Sequence, residues 1–414
     1  MSEALRRGRR RRRRLAATLA VLAALVGGGT YAAATLSAPL PAPVVALAVP
    51  APPTAPAAAP AWPADVAAAA AGVLGHPAVV SGPRGEEPMP IASIAKLVTA
   101  LVVLDAAPLA PGESGPSFTL DASDLAILAE VRAVDGSSLP VAEGLTLTQR
   151  QLLEGMLVPS ANNYAVSLVT RVFGGVEAYL AAARAWLDAN GLGGVRVADA
   201  TGLSEADTAS AADVVRLGMR ALEHPVIAEI VRMASVELPL AGEARSTNAL
   251  LGRDGIVGVK TGTSSIAGPC LLVAREVTVA GQPRTVVAAV LGAADSAARF
   301  AAGGALADAT AGTLVPVVLV EPGAAVGELR TAWGDRARLV TGSGASALLW
   351  NAQEVRTDAS VPVPAVPLAD GATVGSIEYS GVGVGAAVPL LASGALREPD
   401  AWWRLTHPGE LFGW

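Results

Sequence analysis

Only two of the chain's 30 basic residues are lysines: Lys96, in IASIAKLVTA, and Lys260, in GIVGVKTGT. For solubility or a surface ion pair arginine serves as well, but arginine does not give up its proton, whereas a buried lysine can. Lysine kept at two places in so arginine-rich a chain points to acid–base chemistry. Ser93 stands three residues before Lys96, a spacing that puts hydroxyl and amine on one helix face, as a nucleophile and its base require. Burial against Ile94, Leu97 and Val98 and the positive end of the helix dipole would each lower the lysine's pKa, and the dipole favours a developing alkoxide.

Lys260 reads as a strand residue followed by Thr261 and Gly262. Glycine inside a strand marks either a place where another backbone comes close, such as a substrate chain adding to the sheet edge, or a turn at the strand's end. Between the two lysines, PSANN supplies Ser160, whose hydroxyl could relay a proton, and Asn162, whose amide could hold a carbonyl. A competing SxN tripeptide occurs at Ser246–Asn248. The order serine–lysine, serine–asparagine, lysine selects Ser160.

These residues need elements to hold them. SIAKLVTALVVLDAA is apolar nearly all round and predicts a buried helix from about Ser93. TLTQRQLLEGMLVPSANNYAVSLVTRVFG predicts two helices broken at Pro159, the first opened by a capping box of Thr148 and Gln151. CLLVAREVTVAGQPRTVVAAVLGA alternates as two strands joined at Gly281–Pro283. The expectation is an α/β (α+β) domain over residues 65–312 with an antiparallel sheet, then a small β-rich domain over 313–414 that holds five of the seven tryptophans: Trp333, Trp350, Trp402, Trp403 and Trp414.

The N-terminus carries eight arginines in its first fourteen residues, followed by 22 uncharged residues, Leu15–Leu36. This predicts a basic cytoplasmic tail (1–14) and a span or signal peptide (15–36), with the rest of the chain outside the cytoplasm. Residues 37–64, rich in proline and alanine, predict a stiff spacer reaching up to roughly 85 Å in polyproline form. With a net charge of −6 despite that basic block, the body is strongly acidic, which disfavours nucleic acid as a partner. Cys270, the sole cysteine, lies in an apolar run and reads as a core thiol. His76, His224 and His407 are scattered in no ligand spacing, so neither a metal nor another cofactor is expected.

SIAK, SAN and KTGT in this order resemble the active-site motifs of penicillin-binding proteins and serine β-lactamases. PIASIAKLVTALVVLD, LLEGMLVPSANNYAVSL, DATGLSEADTASAADVVRLGMRAL and DGIVGVKTGTSSIAGPCLLVA together resemble the low-molecular-mass D-alanyl-D-alanine carboxypeptidases over about residues 70–312. The resemblance implies an antiparallel sheet flanked by helices beside a helical subdomain, with a β-rich domain following. It implies that Ser93 attacks the penultimate D-alanine of a peptidoglycan stem peptide with Lys96 as base. Ser160 and Asn162 would serve proton transfer and positioning. Lys260 and Thr261, beside Gly262, would bind the terminal carboxylate with help from Arg299, and the N–H groups of Ser93 and Thr263 would form the oxyanion hole. β-Lactams would inhibit.

Three departures stand out. Thr263 and Ser264 follow the glycine where an aromatic or histidine and then threonine are common, and Asn163 stands where aspartate is common. RLTHPGELFGW is too short and too weakly basic for the family's C-terminal amphipathic anchor, so anchoring to the cytoplasmic membrane would pass to the N-terminal helix. The same constellation also serves transpeptidases and β-lactamases, although no glutamate here has asparagine four residues on, as the ExxLN of class A enzymes requires. A silent wall-binding scaffold would have little reason to keep both lysines.

Overall fold

Alternation of side chains between two cores builds the sheet that carries Lys260. In the computed structural model, residues 3–414 are described, with side chains from Arg7 on; Met1 and Ser2 of the expected basic tail lie outside them. The chain divides into two units, Thr54–Pro316 with Leu348–Gln353, and Met1–Pro53 with Val317–Ala347 and Glu354–Trp414. The first contains a five-stranded antiparallel sheet in the order Ile256–Ser264, Gly268–Val279, Gln282–Leu291, Ala68–Val73, Val79–Ser81. Along Gly268–Val279, Cys270, Leu272 and Ala274 enter one core, while Leu271 and Val273 enter the other. Such period-two burial on both faces requires cover on both. Helix Ala211–Glu223 covers one face and helix Ser296–Ala311 the other. Cys270 is buried, as its apolar surroundings predict.

The larger core continues into a helical layer. Helix Lys96–Ala106, buried from Lys96 to Leu104, packs against Gln149–Leu157, Asn162–Phe173 and Val176–Ala189. The capping box is in place: Gln151 N donates to Thr148 Oγ1 at 3.1 Å, and Thr148 N to Gln151 Oε1 at 2.9 Å. The serine helix, by contrast, does not begin as a regular α-helix at Ser93. Ala92–Ala95 form a 3₁₀ turn and the α-helix starts at Lys96, because Ala92 is left-handed (φ 47°) where the sheet's edge strand crowds the turn.

Two expectations about the remainder need correction. Trp350 belongs with the catalytic-type unit: it is 1% exposed, its Nε1 donates to Thr313 Oγ1 at 2.8 Å, and His76 packs edge-on to it at 5.0 Å. Nor is 37–64 a free spacer. Val44–Leu47, a proline-free β-branched run, pairs antiparallel with Ala325–Arg330, and Trp62 packs against the smaller core of the sheet unit. The second unit is a six-stranded antiparallel sheet ordered Val44–Leu47, Ala325–Arg330, Arg336–Thr341, Val384–Ser393, Thr373–Gly381, Arg356–Ser360. It also holds helix Glu3–Ser37 and two short helices, Ala401–Thr406 and Pro408–Phe412. Within the first of these, Arg7–Ser37 is long and apolar enough to cross a membrane.

Candidate active site

Four chain segments bring the predicted residues together: the 3₁₀ turn with Ser93 and the helix start at Lys96, the loop entering helix Asn162–Phe173, the edge strand Ile256–Ser264, and helix Ser296–Ala311 with Arg299. Lys96, at the first turn of its helix and 0% exposed, directs Nζ to Ser93 Oγ (2.9 Å), Asn162 Oδ1 (2.5 Å) and the carbonyl of Thr201 (2.6 Å). Burial lowers its pKa to about 7 against the pull of Asp199 and Asp207, which raise it. Burial is the largest cause of that shift. Ser93 is half-buried, whereas the Lys96 beside it is fully buried.

Lys260 forms the second centre. Its Nζ donates to Ser160 Oγ at 2.8 Å and to the Thr261 carbonyl at 3.0 Å. Its pKa lies well below the usual lysine value, through burial first and then through the charges of Lys96 and Arg299. Ser160 holds a left-handed backbone (φ 67°), which for a side-chain-bearing residue costs about 1–3 kcal/mol. Flanking bonds hold it there, Ala161 N to Gly155 O at 2.9 Å and Asn162 N to Ser137 O at 2.7 Å. Asn163 makes paired bonds with the Leu139 backbone, accepting from its N–H (3.0 Å) and donating to its carbonyl (2.9 Å). An aspartate there would have no donor for the second.

Gly262 lies where sequence reasoning expected a close backbone, but the neighbour is the chain itself. A Cβ on Gly262 would stand 2.7 Å from the Ile91 carbonyl oxygen and 3.2 Å from Ser93 N. The edge strand thus touches the turn that carries Ser93, and its outer edge is unpaired among the described residues. Behind it, Arg299 donates to the Gly262 carbonyl (3.0 Å) and to Thr263 Oγ1 (2.7 Å), and Thr247 Oγ1 meets Thr261 Oγ1 at 2.6 Å. The competing tripeptide reaches the strand through Thr247, and the hydrogen bonds of the two lysine amines go elsewhere. Asn248 Nδ2 donates to the Gly258 carbonyl and its Oδ1 accepts from Leu250 N, bracing the approach to the strand.

The loop that sequence reasoning assigned no role is 199–207. Asp199 accepts from Thr201 N, Gly202 N and Ser204 N at 2.5–2.7 Å, a turn that aims the Thr201 carbonyl at Lys96. Gly202 is left-handed (φ 86°), and a Cβ there would run into the Ala92 carbonyl. Asp207, fully buried, accepts from Ala198 N and Ser204 N; burial and the charge of Asp199 push its pKa up to about 7. The D-x-x-G spelling of a side-chain-stabilised turn was the available signal.

Among solved structures, penicillin-binding protein 5 from Haemophilus influenzae aligns over 82% of this chain and 100% of its own, at 19% identity and a TM-score of 0.57. A D-alanyl-D-alanine carboxypeptidase from Francisella tularensis aligns over 83% of this chain and 96% of its own, at 17% identity and a TM-score of 0.55. At those identities the likeness is one of fold. By sequence, a D-alanyl-D-alanine endopeptidase of Escherichia coli is 30% identical over 190 residues, 44% of this chain and 58% of the relative's length. Residues 77–295, more than half of the chain and all of the site except Arg299, match the pattern of peptidase S11, D-alanyl-D-alanine carboxypeptidase, and the chain belongs to that family.

Proposed function

We propose that the protein is a serine-type D-alanyl-D-alanine carboxypeptidase that removes the terminal D-alanine from peptidoglycan pentapeptides through an acyl-enzyme on Ser93. The observation that carries this is the fully buried amine of Lys96, 2.9 Å from Ser93 Oγ, with burial bringing its pKa down to about 7. Lys96 takes the hydroxyl proton as Oγ attacks the penultimate carbonyl, and the N–H groups of Ser93 and Thr263 hold the oxyanion. Collapse expels D-alanine, whose amine receives the proton that Lys96 took, passed on through Ser160, itself bonded to Lys260, so that Lys96 is neutral again. Water, deprotonated in turn by Lys96, then hydrolyses the ester. Asn162, whose Oδ1 is occupied by Lys96, keeps its NH₂ for the substrate amide. Lys260, Thr261 and Thr263 receive the terminal carboxylate along Gly262, with Arg299 behind them. Through its bonds to the Gly262 carbonyl and Thr263 Oγ1 it sets that stretch of strand and adds positive charge behind the carboxylate.

The unit Thr54–Pro316 with Leu348–Gln353 is then the peptidase domain, held outside the cytoplasmic membrane by helix Glu3–Ser37 with the arginine block inside. Intact-mass measurement with benzylpenicillin tests the reading. A stable adduct on the wild type and none on Ser93→Ala, together with D-alanine release lost in the variant, is expected; release undiminished in Ser93→Ala would overturn it. The name of the 30%-identical relative favours a second reading, an endopeptidase that cuts within a chain rather than at its end. Cleavage of cross-linked muropeptides faster than terminal D-alanine release would favour that reading.

A further inference from the structure

The unit that contains the N-terminal helix leaves two tryptophans in the open. Trp402 is 73% and Trp414 82% exposed, and Phe412, stacked on Trp414 at 5.2 Å, is 43% exposed. Other tryptophans nearby are occupied. Trp403 packs against Trp333 at 5.7 Å and stacks on His407 at 4.9 Å, and Trp333 Nε1 donates to the Arg397 carbonyl at 2.8 Å. Single exposed apolar residues are ordinary, but here Trp402 lies on one short helix, Phe412 on the next, which packs against it, and Trp414 just beyond, so three exposed rings are carried by thirteen consecutive residues, 402–414.

These rings have a defined height. Helix Ala401–Thr406 packs on the N-terminal helix. Tyr31 Oη donates to the Leu405 carbonyl at 2.6 Å, and Arg404, also paired with Glu398, donates to the Ala38 carbonyl at 2.9 Å. If hydrocarbon begins at Leu15, after the last arginine, a rise of 1.5 Å per residue puts Tyr31 roughly 24 Å and Thr35 roughly 30 Å along the helix. A bilayer's hydrocarbon is about 30 Å thick. The short helices are thus clamped at the outer boundary, where tryptophan and tyrosine partition because one end of each ring is apolar and the other polar. The span itself presents an apolar surface, with Leu15, Leu22, Leu25 and Val26 all more than half exposed.

The geometry points to a second membrane contact: Trp402, Phe412 and Trp414 form an aromatic collar that inserts into the outer headgroup region of the bilayer beside the exit of the N-terminal helix. This rests on reading Glu3–Ser37 as a retained span. The collar would hold the β-rich unit at the membrane surface without an amphipathic helix. A carbohydrate platform fits less well, because helix Ala401–Thr406, which carries Trp402, is tied to the outer end of the span.

The test uses the full chain reconstituted in phosphatidylcholine/phosphatidylglycerol vesicles with lipids brominated high on the acyl chain. No tryptophan lies in residues 1–61, so quenching reports the collar and not the span. We expect the bromolipids to quench part of the emission, and a Trp402→Phe/Trp414→Phe variant to lose at least half of that part. Trp350→Phe should leave it unchanged. Quenching equal in the double variant and the wild type overturns the collar. So does quenching of these residues by aqueous iodide but not by bromolipid, and protection from iodide by soluble peptidoglycan fragments would then assign the patch to glycan. Alkaline carbonate extraction separates the premises. A chain that stays in the pellet without collar quenching refutes the collar alone; a chain released to the supernatant refutes the span and the collar with it.

Discussion

An amine bonded to three oxygens can hold its proton in only one of two patterns, and at Lys96 the difference lies in a single bond. The carbonyl oxygens of Asn162 and Thr201 can only accept, so both patterns give each of them an N–H. The third bond, to Ser93 Oγ, reverses. An ammonium donates to the hydroxyl oxygen, whereas a neutral amine accepts the hydroxyl proton and readies the attack. With the pKa brought down to about 7 by burial, the productive pattern gains population as pH rises through 7. The rate of acylation by benzylpenicillin should therefore climb tenfold per unit below that point and level off above it. Stopped-flow measurement from pH 5 to 9 checks this, and a rate that only begins to climb near pH 10 would exclude Lys96 as the base. Lys96→Arg, always protonated, should lose about 10²–10⁴ in the same rate.

At the scale of elements, the contact that matters is strand against turn. Gly262 meets the Ile91 carbonyl and Ser93 N, and both neighbours are backbone, so neither can swing away from an added Cβ. Gly262→Ala should push the edge strand off the nucleophile's turn. A displacement near 1 Å costs about 10²-fold in rate, while the two cores, untouched, keep the melting temperature within a few degrees. An acylation rate within twofold of wild type would show that the strand's approach is not what places Ser93. The same glycine marks the limit of what sequence discloses. That a backbone comes close at Gly262 was legible; that it is the chain's own turn was not, because Ile91 lies 171 positions away. The capping box at Thr148 and the alternation of Leu271, Leu272 and Val273 were legible because they depend on near neighbours in the chain. The Thr201 carbonyl was hidden for a further reason: a backbone acceptor leaves no mark in residue type, and only the Asp199 that aims it could have been noticed.

For the molecule as a whole, the site sets the direction in which stability varies with pH. In the native state Lys96 is neutral above about pH 7, and Lys260 likewise gives up its proton well below its ordinary value, while both stay protonated in the unfolded chain up to about 10.4. Between pH 7 and 10 the unfolded state therefore binds more protons, and these two residues make stability rise with pH. Asp207 acts on the other side of neutrality. Its native pKa of about 7 exceeds the unfolded value of 3.8, so the native state binds the extra proton from pH 4 to 7, and this contribution falls as pH rises through that window. Tyr164, pushed up to about 12 by burial, begins to oppose the lysines above pH 10, where an unfolded tyrosine ionises and the native one does not. The peptidase unit should thus be least favoured by these groups near pH 7 and gain several degrees in melting temperature by pH 9.5. Because the chain folds as two units, a single transition cannot be assumed. Calorimetry on the detergent-solubilised full chain identifies the peptidase transition as the one that moves when benzylpenicillin acylates Ser93. Lys96→Met should flatten much of the alkaline rise, with Lys260 left to supply the rest, and Asp207→Asn should remove the acidic fall and move the onset of the alkaline rise to lower pH, because its charge no longer holds up the Lys96 pKa. A wild-type transition that declines from pH 7 to 9.5, in parallel with that of Lys96→Met, would show that the amine beside Ser93 is charged at neutral pH, and the neutral base would go with it.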